Sequence, residues 1–206
     1  MNKTSRTIHT GLQLHALIPV PGPALNFGKV TEGVYRSSYP QLEDHAFMES
    51  LGLKTIVTLV QKDFPEGYGA FISTHGIKHH VFDMRGTKKE EIPQETMESI
   101  LELVQNEQNH PLLIHCNHGR HRTGCVAAIV RKHCNHNLDE IIKEYESFAG
   151  TKSRECDIKY ITAYDTSISK KSFEILPRIQ ERNFRHIVLS VILLVIVLCT
   201  KRLLVS

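Results

Sequence analysis

The 206-residue sequence has no tryptophan and only a slight excess of one charge, 25 Lys+Arg against 22 Asp+Glu for a formal +3. So mild a balance does not mark a nucleic-acid binder, and no nucleic-acid partner is expected. Without tryptophan, the bulk of a core must come from Leu, Ile, Val, eight Phe and six Tyr. Cysteine is an odd five (Cys116, Cys125, Cys134, Cys156, Cys199), with no paired spacing. That excludes a disulfide scaffold and points to free thiols in a reducing compartment. Near the N-terminus Lys3 and Arg6 give way to Gln13, His15 and the run Pro19 to Pro23, so no apolar segment of signal-peptide quality is expected there. Internal repeats and low-complexity segments are absent. What is present is a hydrophobic fraction of 41% against 23% charged, which suits one domain with a real core plus terminal extensions. Thirteen histidines stand out, many of them crowded between Leu113 and His136.

Pro19, Pro21, Gly22 and Pro23 forbid a regular element, so residues 1–25 read as an extension. Gly28 to Arg36 is strand-like, and Leu42 to Leu51 has helical spacing closed by Gly52. Thr55 to Val60 is a β-branched run typical of a strand buried on both faces. A helix is predicted near Tyr68 to Thr74, then a third central strand over Ile77 to Phe82. Asp83 to Glu91 is a polar loop, and Pro93 opens a helix with Met97, Ile100, Leu101 and Val104 on one face. Leu112 to Ile114 is a short buried strand, and Arg122 to His133 is helical. Asn137 caps a helix carrying Leu138, Ile141, Ile142 and Tyr145 on one face, and a last amphipathic piece runs from Arg154 to Tyr164. This alternation predicts an α/β domain with a central, mostly parallel sheet of four to five strands flanked by helices.

The tail is different in kind. Ile187 to Cys199 holds eleven Ile, Leu or Val among thirteen residues. As a helix it would span about 20 Å, short of the roughly 30 Å of a bilayer core. Arg182, Arg185, His186, Lys201 and Arg202 flank it and can reach the headgroups. The expectation is a C-terminal hydrophobic helix acting as a membrane anchor over 187–206, after the α/β domain at 26–168 and a linker at 169–186. The protein would then be tail-anchored at the cytosolic face of an intracellular membrane, and otherwise cytoplasmic. A buried C-terminal helix of the domain is the alternative.

The chemistry concentrates in His115-Cys116-Asn117-His118-Gly119-Arg120-His121-Arg122-Thr123-Gly124, which follows a short apolar strand and opens a helix. Cys116 and Arg122 enclose five residues. A loop of that length can turn successive N–H groups inward at the positive end of the helix, making an anion site. Gly119 and Gly124 permit tight turning and close packing. Arg122 offers a planar fork for two phosphate oxygens, and a cysteine at the base should be a thiolate. The expected reaction is attack of the Cys116 sulfur on phosphorus, followed by hydrolysis of the cysteinyl-phosphate. Thr123 would ease departure of the sulfur, and Arg122 with the amides of Asn117, His118, Gly119, Arg120 and His121 would hold the oxygens. The reaction calls for no cofactor and no metal.

This segment resembles the active-site loop of cysteine-dependent phosphatases. It is most similar to the plant and fungal atypical dual-specificity phosphatases, whose loop reads His-Cys-Asn-Arg-Gly-Lys-His-Arg-Thr-Gly. The likeness extends over about residues 25–166. It takes in Asn26-Phe27-Gly28, Val34-Tyr35-Arg36-Ser37, Gly86-Thr87-Lys88, Ile92-Pro93, Asn109-His110-Pro111, Glu144-Tyr145, Phe148-Ala149, Lys152 and Arg154. The resemblance implies a phosphatase acting on inositol pyrophosphates, with artificial activity on phosphotyrosine and on phosphoinositides. His118 stands where the family has arginine. The cations His118, Arg120, His121, Lys88, Lys89, Lys152 and Arg154 suit a small polyphosphorylated substrate better than a phosphotyrosine peptide. Two candidates for the general acid are Asp83, where the family has glycine, and His121. Competing readings are a protein tyrosine or dual-specificity phosphatase, an inactive phosphate-binding domain, and a structural zinc site drawn from Cys116, His118, His121, Cys125, His133, Cys134 and His136.

Overall fold

The computed structural model describes residues 22–167. Five strands form one sheet in the order β1-β2-β5-β3-β4: β1 Gly28–Thr31, β2 Val34–Ser37, β3 Thr55–Thr58, β4 Lys78–Val81 and β5 Leu112–His115. The pair β1–β2 is antiparallel, and β2, β5, β3 and β4 run parallel. The strand-like stretch from Gly28 to Arg36 is a hairpin, and Gly33 supplies the positive φ of 70° that its turn requires. Helices are α1 His45–Ser50, α2 Tyr68–Thr74, α3 Gln94–Gln105, α4 His121–His133, α5 Leu138–Ala149 and α6 Glu155–Ala163.

Side chains alternate across the sheet as a period of two demands. Val57, Leu112 and Ile114 join one buried cluster with Met97, Ile100, Leu101 and Val104 of α3, Val126 and Ile129 of α4, and Ile141 and Tyr145 of α5. Ile56 and Leu113 face the other way, onto Met48, Tyr68 and Phe71. The run of apolar residues in β3 and β5 is thus buried on both faces. The expectation of a central strand at Ile77 to Phe82 is corrected, because β4 is the edge strand and pairs only with β3. Its Lys78, His79 and His80 are too polar for burial on two faces, and all are exposed or half-buried.

The helix ends follow local chemistry. The Asn137 side chain accepts the Asp139 N–H at 2.8 Å and starts α5. Arg131, Lys132 and His133 fill the last turn of α4, where cations suit the helix dipole. Lys132 Nζ donates to the carbonyls of Ile161 and Tyr164, each at 2.8 Å, and so ties down the end of α6. Arg131 pairs with Glu144 at 2.8 Å and joins α4 to α5.

The expected tail anchor is corrected. Among the described residues no helix is long and apolar enough to cross a membrane. The hydrophobic segment 187–199, on which the C-terminal helix, the membrane partner and the tail-anchored location rested, lies outside the described residues.

Candidate active site

The neighbouring parallel strands β2, β5 and β3 have their C-terminal ends on one side of the sheet, and the loop from Cys116 to Arg120 leaves β5 there and enters α4. Its carbonyls are taken from outside. Tyr39 N–H reaches the Asn117 oxygen at 3.3 Å, Asn26 Nδ2 the His118 oxygen at 2.7 Å, and Arg36 Nη2 the Gly119 oxygen at 2.6 Å. In a trans peptide the C=O and the next N–H point in opposite directions. Three outward carbonyls therefore turn the N–H groups of His118, Gly119 and Arg120 toward the hollow of the loop. Gly119 makes the turn at φ 65°, and a Cβ there would lie 2.5 Å from the Ser37 backbone. Gly124 lets α4 approach α5, since a Cβ would lie 2.8 Å from the Tyr145 ring. Both glycines are structural requirements of the cradle.

Cys116 is 4% exposed at the base of this loop. Burial by itself opposes ionisation of its thiol. The Thr123 hydroxyl, the N–H groups of Thr123 and His118, and the Arg122 charge outweigh burial and lower the pKa below that of an ordinary thiol. Thr123 Oγ1 is buried beside the loop without a hydrogen-bond partner among the described residues, and its hydroxyl is one of the groups that lower the Cys116 thiol. Arg122 Nη1 donates to the carbonyls of Leu59 at 3.1 Å and Met84 at 2.8 Å, so the ends of β3 and of the β4 connection fix its fork. Arg36 is 1% exposed, with its guanidinium 3.7 Å from the centre of the Phe148 ring. Burial lowers its pKa to about 10, so it still carries its charge under the loop at neutral pH.

The expected cations divide. Lys88, His121, Lys152 and Arg154 line one hollow of about 390 Å³ with Thr151, Ser153, Glu155 and Cys156. Arg154 Nη1 is anchored on Thr87 Oγ1 at 3.2 Å. Lys89 does not line that hollow; its N–H instead closes a turn on Gly86 at 2.7 Å. His118 and Asn117 are exposed at the lip of the loop, and Arg120 is half-buried at the start of α4. His121 Nε2 lies 2.7 Å from the Lys152 carbonyl, an acceptor, so this nitrogen carries a proton and donates it there. Burial, as the largest cause, lowers the His121 pKa, and the ring is neutral with that one proton engaged. Asp83 is exposed in a separate hollow of about 130 Å³ beside Glu90 and Glu91, with no hydrogen bond to the loop. A larger hollow of about 790 Å³, lined by Gly33, Leu101, His110 and Cys134, lies at the opposite edge of the sheet and takes no part in the site.

Two groups carry more here than their sequence context suggested. Arg36 and Tyr39 hold the loop from outside, yet neither lies within it. The available signal was a charged residue set in the strand Val34–Ser37, which only a buried partner can justify.

Residues 21–181 match the tyrosine phosphatase family. The chain belongs to that family. It is 39% identical over 147 residues to the inositol diphosphatase DSP2 of Oryza sativa subsp. japonica, covering 70% of this chain and 72% of the rice protein. It is 40% identical over 152 residues to the inositol diphosphatase SIW14 of Saccharomyces cerevisiae, covering 72% of this chain and 54% of the yeast protein. The crystal structure of the core catalytic domain of the PP-IP phosphatase SIW14 superposes with a TM-score of 0.68 at 38% identity, covering 78% of this chain and 94% of that domain. The fold is therefore the α/β phosphatase fold, and the chain is a cysteine-dependent phosphatase.

Proposed function

We propose that the substrate is an inositol pyrophosphate and that the bond broken is the one between its two linked phosphates. The Cys116 thiolate attacks the terminal phosphorus, the S–P bond forms, and the P–O bond to the inner phosphate breaks with its electron pair on the departing oxygen. Water then attacks the cysteinyl-phosphate, releasing inorganic phosphate and the thiolate, with one proton lost from the water. The inward N–H groups and the Arg122 fork stabilise the three equatorial oxygens, and Thr123 stabilises the departing sulfur. A phosphate is a good leaving group, so this reaction asks little of a general acid. That fits the exposed position of Asp83 and the engaged proton of His121.

The observation that carries the reading is the hollow holding Lys88, His121, Lys152 and Arg154, which continues from the N-terminus of α4. It offers charge to phosphates flanking the one attacked, where a phosphotyrosine ring would want an apolar wall. The rice and yeast relatives, both inositol diphosphatases, agree with it. In this reading residues 26–168 form the phosphatase domain, 1–25 an extension and 169–186 a linker. The test is a comparison of kcat/KM for a diphosphoinositol polyphosphate with that for phosphotyrosine peptides. A preference for the inositol substrate is expected; a strong preference for the peptides overturns the substrate and leaves a protein tyrosine phosphatase.

A further inference from the structure

Beneath the cationic hollow, α5 and α6 share a polar pair that packing alone does not require. Tyr145 of α5 and Asp157 of α6 are both buried, and the Tyr145 ring lies in the cluster of Val126, Ile141 and Ile161. The Tyr145 hydroxyl donates to Asp157 Oδ2 at 2.6 Å. Its oxygen accepts the main-chain N–H of Arg154 at 3.3 Å. Two apolar side chains would fill this space without the cost of desolvating a carboxylate. What the polar pair adds is an acceptor for Arg154.

The direction of these bonds follows from the groups themselves. A main-chain N–H can only donate, so the phenol oxygen accepts from Arg154 and its single proton goes to the carboxylate. Burial, as the largest cause, raises the Tyr145 pKa well above that of an ordinary phenol, which keeps the proton in place. Asp157 sits in the first turn of α6, where a carboxylate suits the helix dipole, and the Cys156 thiol meets its other oxygen at 3.6 Å. Arg154 is the N-cap of α6, so its N–H has no acceptor within the helix. Tyr145 supplies one from the neighbouring helix.

Arg154 also ends the turn that carries part of the rim. Gly150–Lys152 is a short 3-10 helix, closed by Ser153 N–H on the Gly150 carbonyl at 3.1 Å, and residues 150–153 are all exposed. With so little of the turn buried, its ties set its place. His121 reaches the Lys152 carbonyl, Arg154 Nη1 reaches Thr87, and Arg154 N–H reaches Tyr145. His121 and Thr87 are half-buried, whereas Tyr145 is rooted in the core. We propose that Tyr145 is a positioning residue for the cationic hollow: its hydroxyl fixes the main chain at Arg154, so that Lys152 and Arg154 stand where phosphates flanking the attacked one are held. This deepens the reading of the substrate as an inositol pyrophosphate and rests on it. The Tyr145 ring has a separate task, packing against Gly124 of α4.

The experiment compares Tyr145→Phe, Asp157→Asn, Arg154→Met and the Phe/Met double variant in the full chain. Readouts are kcat and KM for a diphosphoinositol polyphosphate and for p-nitrophenyl phosphate, the inhibition constant of inositol hexakisphosphate against p-nitrophenyl phosphate, and the unfolding temperature. Tyr145→Phe keeps the ring and loses the hydroxyl. It should raise KM for the diphosphoinositol polyphosphate, and the inhibition constant, about threefold to tenfold, with kcat and KM for p-nitrophenyl phosphate within about twofold. Both substrates are read on one preparation, so unfolded protein would lower kcat for both and leave each KM in place. Asp157→Asn removes the charge but keeps an acceptor for the hydroxyl, and should stay within about twofold of wild type throughout. The double variant should lose less than the product of the two single losses. An unchanged KM and inhibition constant in Tyr145→Phe overturn the proposal, as do equal KM losses on both substrates. So does an Asn variant as impaired as Phe, losses that multiply in the double variant, or a wild type that inositol hexakisphosphate does not inhibit. A wild type that strongly prefers phosphotyrosine peptides defeats the substrate reading instead, and the inhibition constants still decide this one.

Discussion

Two cysteines of this protein sit in comparably dry surroundings and behave in opposite ways. Cys116, at the base of the loop, is 4% exposed, and Cys125, in the middle of α4, is 0% exposed. The Cys116 thiol is lowered, while burial, followed by the Asp157 charge, pushes Cys125 well above an ordinary thiol. Burial is the largest influence on both, and it acts in the same direction. What separates them is aimed donors: Cys116 faces N–H groups, a hydroxyl and Arg122, whereas the helix interior around Cys125 has spent its N–H groups on its own carbonyls. A reactive thiol is made by direction, not by depth.

The sharpest way to break that contrast is to exchange the sulfurs for oxygen. Cys116→Ser should lower turnover at least about a thousandfold while retaining ligand binding, and Cys125→Ser should keep turnover within about threefold. Steady-state kinetics with binding by calorimetry checks both; equal losses in the two variants would erase the distinction. Next in size is Gly119→Ala. Its Cβ meets backbone, which cannot yield, at a φ suited to glycine. Turnover should fall about a hundredfold as the carbonyl ties to Arg36 and Asn26 are displaced, read from kcat and from slower alkylation of Cys116 at neutral pH.

Stability should report the third difference, between His115 and a solvent-exposed histidine. Burial lowers the His115 pKa to about 3. The folded protein then binds fewer protons than the unfolded chain between that value and the usual 6.5. Its stabilising contribution is complete above pH 6.5 and is lost as pH falls toward 3, at about 1.4 kcal/mol per pH unit. Denaturant melts across that range should show the slope, and a flat profile would contradict it. Smaller still is the effect of the cationic hollow: Lys152→Met or Arg154→Met should raise KM for a diphosphoinositol polyphosphate about threefold to tenfold and leave KM for p-nitrophenyl phosphate unchanged. The least is expected of Asp83→Asn, with kcat/KM on the pyrophosphate substrate within about threefold of wild type. A large loss there would bring Asp83 into the site as the proton donor.

The elements themselves were legible. The β-branched run at Thr55, the short apolar run at Leu112, the apolar face of Met97 to Val104, and the Asn137 cap each carry their own local physics, and the structure has them within a residue or two. So was the loop, because strand, Cys-x5-Arg, two glycines and a helix are contiguous in the chain. The edge position of β4 was less legible, since a short polar-apolar strand does not state how many neighbours it has. The rim was read in part: Lys88, Lys152 and Arg154 line one hollow, and Lys89, whose N–H closes a turn on Gly86, is not among its lining residues.

By itself the sequence determined which residues could make a phosphate cradle, since a loop between a buried strand and a helix N-terminus is built from neighbours. Only the tertiary structure decided what orients that cradle. Asn26 comes from just before β1, and Arg36 and Tyr39 come from β2 and the residues that follow it. These groups reach the loop across the sheet, and hydrogen bonds between residues so far apart in the chain follow from strand order and register, which no local pattern encodes.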